Sequence, residues 1–162
     1  MKSIILLFFG LCLTTLSLAQ NNMALMLLED CKTEFDISLS EVQIAMEKMS
    51  PITPEDKPFN DILHLLKNTN IHLDNSHDKA DQLEDRVDNS YCSRIERLAN
   101  DLEGNLDNAE DHIQKAILIL TLKDPTEKDL NKARKQVSSA FKDMLKAQSD
   151  FAKMGKAIQL CR

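Results

Sequence analysis

Residues 130–161, LNKARKQVSSAFKDMLKAQSDFAKMGKAIQLC, decide the fold. Leu130, Val137, Met144, Phe151 and Ile158 recur every seven residues, and Ala133, Ala140, Ala147, Met154 and Cys161 form a companion row three positions on. Apolar residues at these two spacings fall on one stripe of a helix, the seam along which helices interlock. Three alanines in one row let a neighbouring helix approach closely. The row is therefore read as packing surface and not as a cofactor box.

The same pattern recurs upstream. Leu28, Phe35, Val42 and Met49, backed by Cys31, Leu39, Ala45 and Met46, predict a helix ending near Ser50. Between residues 59 and 122 two further rows follow: Phe59, Leu66, Leu73, Ala80 and Val87, then Ile95, Leu98, Leu102, Leu106, Ala109, Ile113 and Leu120. One helix over that whole stretch would be about 96 Å long, far beyond its partners, so a break is required. The polar cluster Asp88-Asn89-Ser90, followed by Ser93-Arg94-Ile95-Glu96 as a capping box, marks the break, with Asp74-Asn75-Ser76-His77 as the rival position.

Prolines at 51, 54, 58 and 125 mark the other turns. Thr53-Pro54-Glu55-Asp56 and Asp124-Pro125-Thr126-Glu127 each offer a cap oxygen, a proline for the first helical position and acids against the positive helix end, with Glu127 placed to bond back to the Asp124 cap. Four helices are expected, at 22–50, 54–88, 92–123 and 125–161. Short links between them predict an all-α, antiparallel up-down-up-down four-helix bundle of long amphipathic helices. That connectivity disfavours secreted cytokines, whose bundles need long crossover connections. Composition agrees: 43% hydrophobic and 28% charged residues with three Gly, four Pro and no Trp describe a globular chain without the many turns of an all-β fold.

Lys2 precedes an apolar run from Ile4 to Leu18, and Ser17 and Ala19 stand where a leader peptidase wants small residues. Residues 1–19 are read as a signal peptide and 20–162 as a single helical domain, secreted and extracellular. The run is short for a membrane span. Removing it leaves a net charge of −7 and the three cysteines Cys31, Cys92 and Cys161. In an oxidising compartment an odd count means one bridge and one other thiol. Along the predicted helices Cys92 and Cys161 lie about 46 Å and 54 Å from the turn that joins the last two, whereas Cys31 lies only about 28 Å from the corresponding end. A Cys92–Cys161 bridge is therefore expected, with Cys31 free on the inner face or joining two chains, which makes the protein a monomer or a disulfide-linked dimer.

The motifs of catalysis are sparse. No Glu-x-x-His occurs, and its nearest approximations, Asp61–His64 and Asp74–His77, sit on one predicted helix, so they cannot face each other across a metal pair. Asp101-Leu102-Glu103-Gly104-Asn105 lacks the alternating ligands of a calcium loop and fits a solvated helix face. His64, His72, His77 and His112 show no ligand spacing, and Gly104 and Gly155 fall inside helical patterns, leaving no glycine loop for phosphate or for a nucleophile. No enzyme activity, metal or cofactor is expected.

Charge is unevenly spread. Residues 20–73 carry −5, residues 74–111 carry −8 and residues 112–162 carry +6. A basic last helix between acidic neighbours favours the intended packing. It also offers an anion-binding partner surface built from Lys132, Lys135, Lys142, Lys146 and Lys153, flanked by Lys128 and Lys156. Nucleic acid is not the expected partner of an exported acidic chain without aromatic stacking platforms. Met23-Ala24-Leu25-Met26-Leu27-Leu28 has no polar face and is expected to cap the bundle's end, or else to meet a partner or lipid. Thr69, Asn70, Ser76, His77, Asn105 and His112 fall on or beside the inner stripes, as the lining of a wet cavity or as register-setting groups.

The outline resembles small secreted helical proteins in general, among them plant enzyme inhibitors, insect apolipophorins and mite helical allergens. The cysteine and motif patterns of those families are not matched, so no residue role is carried over. The leading expectation is a secreted, non-enzymatic protein that acts by protein–protein interaction, as an effector, an inhibitor or a venom- or saliva-like factor. A carrier of apolar ligands or lipid is the alternative, and a structural or self-assembling secreted protein the second.

Overall fold

The expected rows become the inner faces of four helices. A computed structural model describes residues 2–56, 59–87 and 93–160, with side chains from residue 22 onward. In chain order the elements are α1 (Lys2–Met49), one turn of 3-10 helix (Pro54–Asp56), α2 (Asn60–Val87), α3 (Ser93–Leu120) and α4 (Glu127–Leu160). Among the described residues there is no strand. Each helix packs on the next, and α1 also packs on α4, which closes the four into a bundle. Among the described residues no helix is long and apolar enough to cross a membrane.

Every described residue of the predicted main rows of α2, α3 and α4 is buried, from Phe59 and Leu66 through Leu102 and Leu106 to Met144 and Ile158. Each large side chain so covered contributes roughly 1.5–3 kcal/mol of transfer free energy. On α1 the buried stripe runs through Ala24, Leu28, Cys31, Phe35, Ser38, Val42, Ala45 and Met49, while Leu39 and Met46 sit at its edge, half-buried. Ser38, not singled out from the sequence, takes a buried position on this stripe, where the sequence pattern places Leu39. Its hydroxyl donates to the Phe35 carbonyl at 2.7 Å, so burial leaves no polar atom unpaired there. Phe35 meets Phe151 across the α1–α4 seam with ring centroids 5.0 Å apart and planes tilted by 48°, within the favourable range for aromatic pairs.

Three helix starts differ from the sequence expectation. α1 runs from Lys2, through the apolar run of residues 4–18, where a start at residue 22 was expected. The second helix does not begin at Pro54. That segment closes as a single 3-10 turn in which the Asp56 carboxylate accepts from the Thr53 amide at 2.6 Å and from its hydroxyl at 3.0 Å. Pro58 has no N–H to donate to a continuing helix, and α2 starts afresh at Asn60. The fourth helix begins two residues late because its cap is Thr126, not Asp124. Thr126 Oγ accepts from the Asp129 amide at 3.3 Å, and Asp129 Oδ2 accepts from the Thr126 amide at 3.1 Å and from the hydroxyl at 2.6 Å. This is a capping box with aspartate in the third position. Those bonds hold the Asp129 carboxyl down at about 2. Glu127, expected to bond back to the cap, instead pairs with Arg134 at 2.8 Å.

α2 is described to Val87 and α3 from Ser93, so the preferred break at Asp88-Asn89-Ser90 lies outside the described residues, while the rival position, Asp74-Asn75-Ser76-His77, lies within α2. At the end of α1, the Ser50 amide donates to the Glu47 carbonyl at 3.4 Å. Arg134 then reaches across from α4, donating from Nε to the Met49 carbonyl at 3.0 Å and from Nη2 to the Ile52 carbonyl. One guanidinium thus ties the C-terminal end of α1, and the turn beyond it, to the first turns of α4.

Candidate functional site

The lysine residues of α4 lie off its buried seam, and all seven of Lys128, Lys132, Lys135, Lys142, Lys146, Lys153 and Lys156 are exposed. Steps of three, four and seven residues keep them on one outward stripe of the helix, about 42 Å long from first to last at the ordinary helical rise. The stripe is graded by what neutralises it. Lys132, Lys146 and Lys153 each reach back three positions to an aspartate on their own helix: Asp129 at 3.2 Å, Asp143 at 2.7 Å and Asp150 at 2.7 Å. Among the described residues, Lys128, Lys135, Lys142 and Lys156 have no carboxylate within ion-pair distance.

The two anchoring carboxylates farther along α4 are themselves held from α3. Asp150, nearly buried, accepts from Asn105 Nδ2 at 3.0 Å. Asp143 lies 3.6 Å from His112 Nε2, while His112 Nδ1 bonds the Gln136 amide oxygen at 2.7 Å. Because an amide oxygen only accepts, Nδ1 of His112 carries a proton. Asn105 and Asp150 sit at the bottom of an open groove between α3 and α4 that also takes in Asp101, Gly104, Ser149 and Lys153. A Cβ added at Gly104 would meet nothing within 4 Å, so the groove widens there.

The remaining polar groups near the seams do not share a cavity. Among the described residues they divide between two helix pairs. Between α1 and α2, His72 Nδ1 lies 2.7 Å from Glu34, and Lys79 lies 3.7 Å from the other oxygen of the same carboxylate. Those contacts, the His72 bond above all, hold the Glu34 carboxyl below its usual range. Beside them the Cys31 thiol donates to the Ser76 carbonyl at 3.0 Å, and the Ser76 hydroxyl donates to the Cys31 carbonyl at 3.1 Å. Cys31 is wholly buried and unbridged, and burial pushes its thiol up to about 11. Between α2 and α3, His77 lies 3.6 Å from Glu103. Thr69 Oγ1 and Asn70 Oδ1 are buried without a hydrogen-bond partner among the described residues. The expected Cys92–Cys161 bridge lies outside the described residues.

A second charged surface, not foreseen as a unit, faces out from α2 and α3. Asp74, Asp78, Asp81 and Asp85 form an exposed row on α2. Next to it the carboxylate oxygens of Asp81, Glu84 and Glu103 come within 4.8 Å of one another. Partial burial, then the charges of Glu103, Asp81 and Asp85, raise the Glu84 carboxyl above its usual range. Glu110 is raised as well, by burial and then by Asp74 and Asp107. Sequence spacing could have disclosed the α2 row and also the Asp-x-x-Lys repeats at 129–132, 143–146 and 150–153. The meeting of Glu84 with Glu103 could not be foreseen, because it depends on the register of two helices.

At the bundle's end, the apolar run of residues 23–28 splits between inside and outside. Ala24 and Leu28 are buried and Leu25 and Leu27 pack against the core, but Met23 and Met26 are 47% and 69% exposed and Leu160 on α4 is 78% exposed. The run therefore caps the core with only part of its surface. No family model, curated protein or solved structure matches the chain.

Proposed function

We propose that this is an exported, non-enzymatic interaction protein whose α4 lysine stripe docks on an acidic surface of another protein. The observation that carries the reading is the set Lys128, Lys135, Lys142 and Lys156, exposed and without an ion-pair partner among the described residues, on a helix whose other lysines are oriented by Asp129, Asp143 and Asp150. Such a surface is charged, long and laterally rigid, which favours fast, salt-sensitive and register-specific association.

The scaffold proposed beneath it is an antiparallel up-down-up-down bundle of amphipathic helices. In its support, contacts that move forward along α1, from Cys31 to Glu34 to Lys48, move backward along α2, from Ser76 to His72 to Asp61. Asn105 to His112 on α3 likewise matches Asp150 to Gln136 on α4. Residues 1–19 act as the signal peptide, and Cys92–Cys161 forms the stabilising bridge near the open end. Carriage of lipid is a second reading, favoured by the exposed Met23, Met26 and Leu160.

The test is capture from the fluid that receives the protein. Immobilised chain is compared with a Lys135→Glu/Lys142→Glu/Lys146→Glu variant, and bound polypeptides and extracted lipids are both quantified by mass spectrometry. The proposal expects saturable polypeptides that the variant loses. Lipid retained equally by both forms would put the carrier reading in its place.

A further inference from the structure

The acidic row of α2 and the basic row of α4 repeat the same steps. Asp74, Asp78, Asp81 and Asp85 advance by four, three and four residues, and Lys128, Lys132 and Lys135 advance by four and three. All seven side chains are exposed. None of the four aspartates has a cation within ion-pair distance among the described residues. α2 packs on α1 and α3, and α4 packs on α3 and α1, so the two rows occupy opposite corners of the bundle and cannot neutralise each other within one molecule.

From this complementarity we infer that the α4 lysine row of one molecule docks along the α2 aspartate row of a second copy. Both helix orientations satisfy the match. Laid parallel, Asp74, Asp78 and Asp81 fall opposite Lys128, Lys132 and Lys135; laid antiparallel, Asp85, Asp81 and Asp74 fall opposite Lys142, Lys146 and Lys153. Lys67, the cation in the α2 row, meets no lysine in either arrangement. The acids of α2 and α3 crowd one another, as the raised carboxyls of Glu84 and Glu110 reflect, so a row of ammonium groups laid beside them relieves repulsion that the isolated bundle retains. The two patches differ and sit on opposite corners, so the contact is heterologous. Each added copy exposes a fresh row, and association is open-ended rather than closed at a dimer. Exposed ion pairs are individually weak, so the contact is reversible and lost in salt.

The inference rests on the reading of α4 as a docking surface and assigns a second copy as one occupant. Sedimentation velocity on the protein recovered after expression of the full chain tests it. At low ionic strength the weight-average mass is expected to rise with concentration, and at 1 M salt, where the Debye length is roughly 3 Å, to fall to that of the single chain. Lys132→Glu/Lys135→Glu/Lys142→Glu and Asp74→Lys/Asp78→Lys/Asp81→Lys are each expected to remain monomeric, and their mixture to associate again. A neutral set, Asp74→Asn/Asp78→Asn/Asp81→Asn, lessens acid repulsion and so keeps the fold while losing association, which guards against a lysine variant that unfolds.

Absence of concentration dependence at low salt overturns the proposal, as does association that survives in both charge-reversed variants. So does loss of association in Asp36→Lys/Glu47→Lys/Asp61→Lys, which shifts the net charge by the same amount as the acid-reversed variant but keeps both rows, because net charge rather than the row would then be responsible. The aspartate variants leave the lysine stripe intact. Capture of a foreign acidic protein by α4 would therefore persist if only the self-association is wrong.

Discussion

Replacing Arg134 by alanine removes the guanidinium that hydrogen-bonds the end of α1 from the start of α4. Its Nε donates to the carbonyl of Met49, the last residue of α1, at 3.0 Å, and Nη2 donates to the Ile52 carbonyl in the turn that follows. A terminal helix carbonyl has no partner within its own helix and lies at the negative end of the helix dipole, so a guanidinium there satisfies an acceptor and meets favourable charge. Hydrogen bonds to charged groups contribute about 1.5–3 kcal/mol each. Arg134 keeps 24% of its side-chain exposure, so water competes and the lower end applies. Two such bonds give an expected loss of about 2–3 kcal/mol for Arg134→Ala. Arg134→Lys keeps the charge but reaches one carbonyl at most, and about half of that loss is expected. The Glu127 contact, 55% exposed on the carboxylate side, adds little, and Glu127→Ala is expected within about 0.5 kcal/mol of the parent. Urea unfolding followed by circular dichroism reads all three, with an unchanged denaturant slope as the sign that only native stability moved. An Arg134→Ala midpoint that overlays the parent would refute the reasoning, because α1 and α4 would then be joined by their apolar rows alone.

Thr126→Ala removes the hydroxyl that caps α4 and should cost about 1 kcal/mol in the same assay. Acidity should act in two directions. Glu84 and Glu110 have raised carboxyls, so their unfavourable ionisation is relieved as pH falls from neutral toward the carboxylate range. Glu34, Asp56 and Asp129 have lowered ones, so their stabilisation, complete above the unfolded carboxylate range, is lost as pH falls below about 4. A stability maximum at mildly acidic pH, above the unfolded carboxylate range, is therefore expected, and Glu84→Gln should raise the urea midpoint at pH 7 and flatten the rise; a midpoint that falls steadily as pH is lowered from neutral would contradict this. Cys31 should resist alkylation in the native protein and react promptly in denaturant, since its thiol is buried and pushed up to about 11; non-reducing peptide mapping of the same sample should yield a Cys92–Cys161 peptide.

The helices and their inner rows were legible because each is a local periodicity, and Leu66, Leu106 and Met144 needed no knowledge of their neighbours to be placed inside. Ends were less legible because proline is ambiguous. Pro54 and Pro125 both suit a first helical position, yet the carboxylates of Asp56 and Asp129 decide the outcome: one closes a single 3-10 turn on Thr53 and the other completes a capping box on Thr126. Ser76 was placed on or beside the inner stripes from sequence, but Ser38 was not singled out, because a polar letter does not show that its hydroxyl is satisfied by a backbone carbonyl, its own helix's for Ser38 and that of Cys31 for Ser76. The lysine stripe could be listed from sequence. Its anchoring through Asp143 to His112 and through Asp150 to Asn105 depends on how α3 registers against α4, and periodicity does not encode that.

Lysine acylation footprinting tests the central claim most directly. The protein is pulse-labelled alone and in the fluid that receives it, and the modification of each lysine is compared by mass spectrometry. If α4 is the docking surface, Lys132, Lys135, Lys142, Lys146 and Lys153 lose reactivity in the fluid while Lys32, Lys48 and Lys67 on α1 and α2 label as before. Equal labelling of the α4 lysines in both conditions, or protection confined to α1 and α2, would contradict the claim.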